Sequence, residues 1–181
     1  DEVERGLIEI DGLNAQDAQY LARVSAGNYA KTRFFDINRL KADRESMVDY
    51  LRLAYTQDAQ GLSTIAQDWQ SSFNIEGLLS LTNLMEVYIR DLMVYRETGN
   101  ERLITNIDQA DSIKKFVKAL GEAKLEEMIG EIEETRVLLR QNVSPKLVFT
   151  VMALRFSSLM RGSEPFIPND ENWKHLPAFT S

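Results

Sequence analysis

The sequence predicts an all-α helical bundle. Apolar residues recur at helical spacing along most of its 181 residues, no strand alternation of useful length appears, and glycines and prolines fall between the apolar runs. A hydrophobic fraction of 44% is enough for a real core in a chain of this length.

The elements follow in order. Asn14 reads as an N-cap with Asp17 three residues on, before an apolar stripe of Tyr20, Leu21 and Val24 that Gly27-Asn28 ends. Tyr29 to Leu40 reads as a second short helix carrying Phe34, Phe35 and Ile37. Asp43 is expected to cap a third, with Met47, Val48, Leu51, Ala54 and Tyr55 on one face. Leu62, Ile65, Ala66, Trp69 and Phe73 mark the next helix. From Ile75 to Tyr95 apolar residues wrap most of the helix, the pattern of a central helix or one at a subunit interface. Thr98-Gly99-Asn100 stops that helix, and Asn106-Ile107-Asp108 starts another that carries Ile113, Phe116, Val117 and Leu120 and ends at Gly121. Leu125, Met128, Ile129, Ile132 and Leu139 line a helix with an acidic outer face. Ser144-Pro145 opens the last, with serine as N-cap and proline at the first helical position. Its apolar residues run from Leu147, Val148, Val151, Met152 and Leu154 to Phe156 and Leu159.

Three of the four prolines follow Ser163, so residues 163–181 are expected to be extended, with Phe166, Ile167, Trp173, Leu176 and Phe179 available to pin them to the bundle. The division expected is a small helical unit over 1–40, a larger bundle over 41–162 and this tail. The chain starts at Asp1 without an initiator methionine and is expected to be a piece excised from a longer protein.

Catalytic kits are sparse. The lone histidine, His175, lies in the tail, with no nucleophile elbow to serve a triad and no Glu-x-x-His pair for a di-iron bundle. No phosphate-cradling glycine loop occurs. With no cysteine there is neither a disulfide nor a thiolate metal site, which fits a cytoplasmic setting. Glu126 to Glu134 lie along a helix with Lys124, Arg136 and Arg140 at its ends, so a partly ion-paired surface is the simpler reading than a cation site. Methionines 85, 93, 128 and 152 fall at core spacing. A formal charge of −7 argues against direct nucleic-acid binding, and no apolar run is long enough to span a membrane. No catalytic, cofactor or metal residue is assigned. The candidates for an interface with other subunits are Tyr88, Arg90, Asp91 and Arg155. Charges in such apolar helices need partners, either inside the bundle or across an interface.

Three stretches resemble bacterial clamp-loader subunits of DNA polymerase III. Leu21-Ala22-Arg23-Val24-Ser25-Ala26-Gly27-Asn28-Tyr29-Ala30-Lys31 is similar to the end of the AAA+ lid, where a helix leads into a Gly-Ser/Asn-x-Arg-type turn. Leu138 to Leu147 is similar to the Asn-x-x-Pro joint between the last two collar helices. Arg90-Asp91-Leu92, Thr98-Gly99-Asn100 and Asn106-Ile107-Asp108 fit the same collar. The resemblance covers roughly Asn14 to Met160, and the delta-prime type matches best. Where ATP-responsive subunits place a sensor arginine, this chain has Ala30, with Lys31 beside it.

The resemblance implies an all-α collar preceded by a remnant of the AAA+ lid. It implies a non-catalytic oligomerisation role in the complex that uses ATP to load the sliding clamp on primed DNA. The partners implied are other clamp-loader subunits, with clamp and DNA reached indirectly. A fragment of an ATP-using gamma/tau-type subunit is an alternative. So is a free-standing helical adaptor with the same patterning. A small-molecule enzyme with its pocket in the bundle comes last, for want of a convergent acid, base or metal set.

Overall fold

Short polar side chains set four of the helix starts in the computed structural model, which describes residues 2–25, 27–32 and 36–164. Each cap satisfies backbone N–H groups that the first turn leaves unpaired. Asn14 caps α2 (Ala15–Val24) by accepting from the Asp17 N–H at 2.9 Å. Asp36 caps α4 (Ile37–Thr56), Asp58 caps α5 (Ala59–Ser72) and Asn74 caps α6 (Ile75–Thr98) in the same way. Ahead of them lie α1 (Glu2–Glu9) and, between α2 and α4, the single turn α3 (Tyr29–Thr32). Two 3-10 turns, Glu101–Leu103 and Ile107–Gln109, then lead into α7 (Ala110–Ala119), α8 (Leu125–Arg140) and α9 (Pro145–Leu159). The described residues contain no strand, and the fold is the all-α bundle the periodicity predicts.

Gly99 ends α6 at φ 63°, a left-handed conformation that costs glycine little. Gly162, at φ 72° beyond α9, is more constrained, because an added Cβ would come within 2.8 Å of the Glu122 carbonyl oxygen. Between α8 and α9 the left-handed position falls to Asn142 at φ 60°, and the Val143 N–H closes the turn on the Leu138 carbonyl at 3.2 Å. Asparagine tolerates that region better than most residues.

Five local expectations change. The short helix expected over Tyr29 to Leu40 is only the turn α3, because the Asp36 cap opens a new helix and Ile37 to Leu40 belong to α4. Helix α1 went unforeseen, and it buries Leu7. Asp43 lies inside α4 and caps nothing, because Asp36 has already started the helix. Ser144 occupies the cap position of α9, but its hydroxyl meets the Gln70 side-chain oxygen at 3.0 Å, leaving Pro145 as the start signal. Asn106 likewise makes no cap bond. Phe34, Phe35, His175 and the tail from Pro165 lie outside the described residues, as do the side chains of Val24 and Lys31.

The main core is built by α4 to α9. Helix α6 packs against α4, α7 and α8, which explains why apolar residues wrap it, and α9 is covered by α4, α5 and α8. Leu81, Met85, Tyr88, Ile89 and Leu92 of α6 are buried in one apolar cluster with Met128 and Ile132 of α8 and Phe149 and Phe156 of α9. Burying each such side chain stabilises the fold by about 1.5–3 kcal/mol. A ring cluster holds α4, α5 and α9 together. Trp69 lies 4.9 Å from both Tyr50 and Phe149, and the Tyr50 hydroxyl donates to the Phe149 carbonyl at 2.6 Å. Burial pushes the Tyr50 phenol well above its ordinary pKa.

A smaller cluster of Leu7, Ala18, Tyr20, Leu21 and Leu40 forms around α1 and α2. It leans on Ile37 of α4 and Leu84 of α6.

Candidate functional site

The two clusters meet at a buried polar joint. Asp91, 3% exposed on α6, receives three hydrogen bonds from the segment that folds back after α6. The donors are the Thr105 N–H at 2.7 Å, the Asn106 N–H at 2.8 Å and the Asn106 side-chain amide at 2.6 Å. Asn106 is committed here, which is why it cannot cap the following turn.

Arg44 of α4, also 3% exposed, reaches the same segment. Its guanidinium donates to the Asn106 side-chain oxygen at 3.3 Å and forms an ion pair with Asp108. It also stacks on Tyr20 of α2, 3.8 Å from the ring centroid, a cation–π contact in a desolvated setting. Arg44 Nε is buried with no hydrogen-bond partner among the described residues. Burial alone would lower the Arg44 pKa, but the hydrogen bond to Asp108 and the charges beside it hold it above the ordinary arginine value. Burial raises the Tyr20 phenol, with Arg44 opposing.

From α2, Arg23 donates to the carbonyl of Arg102 at 3.2 Å and to that of Ile104. Lys41 pairs with Asp17 at 2.7 Å. The joint therefore pins the first helices to the bundle through cations of α2 and α4. It brings together no nucleophile and base, and the described residues contain no cluster of ligands able to hold a metal.

The four residues singled out for an interface between subunits divide. Tyr88 is fully buried, with its hydroxyl 3.2 Å from the Ser112 hydroxyl and its ring edge-on to Phe116. Asp91 is consumed by the joint. Neither offers surface to a partner. Arg90 is exposed and pairs with Glu86 at 2.5 Å. Arg155 bridges α9 to α8 through Glu131 at 2.7 Å and Glu134 at 2.6 Å. The hydrogen bond to Glu131 does most to raise its pKa.

Sequence reasoning gave Arg136 little weight, yet it is 7% exposed and ties α8 to α6. It bonds Thr82 at 3.0 Å and Asn83 at 2.7 Å, and pairs with Glu86 at 2.7 Å. Nothing in its spacing distinguished it from Arg140.

One surface stands apart. Leu147, Val151 and Leu154 are 57%, 38% and 61% exposed along a single face of α9. Val137 of neighbouring α8 is 49% exposed. The signal was present in the sequence, because α9 carries more apolar residues than one buried face can use.

No helix among the described residues is long and apolar enough to cross a membrane. A family model described as DNA polymerase III, delta subunit, C terminal, matches residues 43–158, well over half of the chain. No curated protein and no solved structure matches it.

Proposed function

The chain belongs to the family defined by the C-terminal region of the delta subunit of DNA polymerase III, and from that premise we propose that it is the collar of a clamp-loader subunit of the delta-prime type. In this reading residues 41–162 form the collar and residues 1–40 are the end of an AAA+ lid. The chain performs no catalysis itself. It works in the cytoplasm, joining other clamp-loader subunits into the ATP-driven complex that places the sliding clamp on primed DNA. Ala30 supports the delta-prime type, since a methyl group cannot contact a nucleotide phosphate electrostatically.

The exposed stripe Leu147, Val151 and Leu154 carries the oligomerisation role. A contiguous apolar helix face on an otherwise packed bundle is characteristic of a protein–protein contact. Arg155, next to Leu154, would serve at its polar rim, and Arg90 on exposed α6 surface would serve a second contact, where exposed charges set orientation more than affinity.

Mixing the chain with the other clamp-loader subunits of its own organism tests this. The expected result is a stable hetero-oligomer on gel filtration. Leu154→Asp should weaken it about 100-fold or more, a loss near 2.7 kcal/mol, with an unchanged melting temperature for the isolated chain. A monomer that ignores those subunits would leave the free-standing adaptor in its place. Assembly that requires nucleotide bound beside Ala30 would instead favour a gamma/tau-type subunit.

A further inference from the structure

Helices α4 and α7 both flank α6, and a groove runs between them. Its apolar half, a cavity of about 340 Å³, is walled by Tyr55 of α4, by Phe116 and Ala119 of α7 and by Leu120 just after it. Arg52 and Lys115 stand at its rim. Beyond Arg52 the groove continues into a second hollow of about 290 Å³ lined by Gln109 and by the carboxylates Glu45 and Asp49, the latter paired with Arg52 at 2.9 Å. The Gln109 side-chain oxygen is buried there with no hydrogen-bond partner among the described residues. The groove thus offers an apolar slot with Lys115 at its rim, which suits the apolar side chains of an extended segment.

The last described residues lie at one end of this groove. The Arg161 guanidinium sits 5.6 Å from the centroid of the Tyr55 ring and donates to the Tyr55 carbonyl. Gly162 is against Glu122, and Glu164 pairs with Lys124, just past the Leu120 end of the wall. The sequence that follows is Pro165-Phe166-Ile167-Pro168, with Asp170 and Glu171 after it. Three extended residue steps from Glu164 to Ile167 reach about 10 Å.

We propose that the α4–α7 groove is the docking site of this chain's own C-terminal segment, with Phe166 and Ile167 in the apolar slot. Asp170 and Glu171 complement Lys115 at the rim of the slot. A tethered segment sees the groove at an effective concentration of order millimolar, so a small slot suffices to hold it. The site shares no residue with the α9 stripe and does not depend on the clamp-loader reading.

Because the chain has no cysteine, a pair introduced as Ala119→Cys and Ile167→Cys reports directly on the docking. Mild oxidation of the dilute double variant should give an intramolecular disulfide, which forms only when the two Cα atoms approach within about 7 Å. In the unmodified sequence, removal of residues 165–181 should speed amide exchange of Phe116 to Leu120 at least tenfold. Phe166→Ser combined with Ile167→Ser should do the same without shortening the chain. Disulfides formed only between chains would overturn the proposal by making a second copy the occupant. Exchange that ignores both changes would overturn it equally, leaving the groove to a different protein.

Discussion

Removing the Asp91 carboxylate tests whether the polar joint holds the fold together. Asp91→Ala deletes an acceptor of three hydrogen bonds, two of them from backbone N–H groups of a turn that has no other partner for them in the joint. Hydrogen bonds to a charged group contribute about 1.5–3 kcal/mol each, and a buried donor left unsatisfied costs about 1–3 kcal/mol. The three share one carboxylate and will not add fully, so the expected loss is about 3–5 kcal/mol. Asp91→Asn keeps one acceptor oxygen but turns an NH2 toward a donor, and should lose roughly half as much. Urea unfolding of the isolated chain at neutral pH measures both. Amide exchange at Thr105 and Asn106 should quicken in step, since Asp91 is what protects them. A loss below about 1 kcal/mol for Asp91→Ala, with those amides still protected, would refute the reasoning. Asp91 would then return as a candidate for an interface with other subunits.

Two further outcomes rest on burial elsewhere in the bundle. Burial holds the Asp43 carboxyl above its ordinary value, with Arg39 opposing from 3.9 Å. The folded chain therefore binds that proton more tightly than the unfolded chain, and stability falls as pH rises from the ordinary carboxylate pKa through the raised one. Asp43→Asn should melt higher than the parent at pH 7 and level with it at pH 3, and an equal gain at both would contradict the assignment. Phe149→Ala empties the space beside the Trp69 and Tyr50 rings at a fully buried site and should cost about 3–5 kcal/mol in urea unfolding. A value under about 1.5 kcal/mol would mean the ring cluster is not where α4, α5 and α9 are held.

The helices were legible where their signals are local. The Asn14 cap, the Gly99 stop, the Pro145 start and the 3.6-residue apolar rhythm all act within about one turn, so neighbouring residues decide them. The same locality explains the misplaced start at Asp43: both Asp36 and Asp43 are competent caps, and only the path of the chain into α4 chose between them. Helix α1 was missed because its eight residues bury one leucine, too little for a periodic signal.

The polar joint and the open surfaces depended on the tertiary structure. Arg44 meets Asp108 across 64 positions, Arg23 meets the Ile104 carbonyl across 81, and Arg136 meets Thr82 across 54. Such pairings depend on where helices cross, and a charge spacing along one helix carries no record of that. The family resemblance singled out Arg90-Asp91-Leu92 as a unit, but the helix turn between neighbours sends Arg90 to solvent and Asp91 into the joint. Residue types and short-range order were enough to fix that this chain is helical and where several of its helices begin and end, because those properties are decided within about one turn. Which apolar residues of α9 stay uncovered, and which charges join the first helices to the bundle, were decided only by packing, because burial belongs to the relation between helices and not to any one of them.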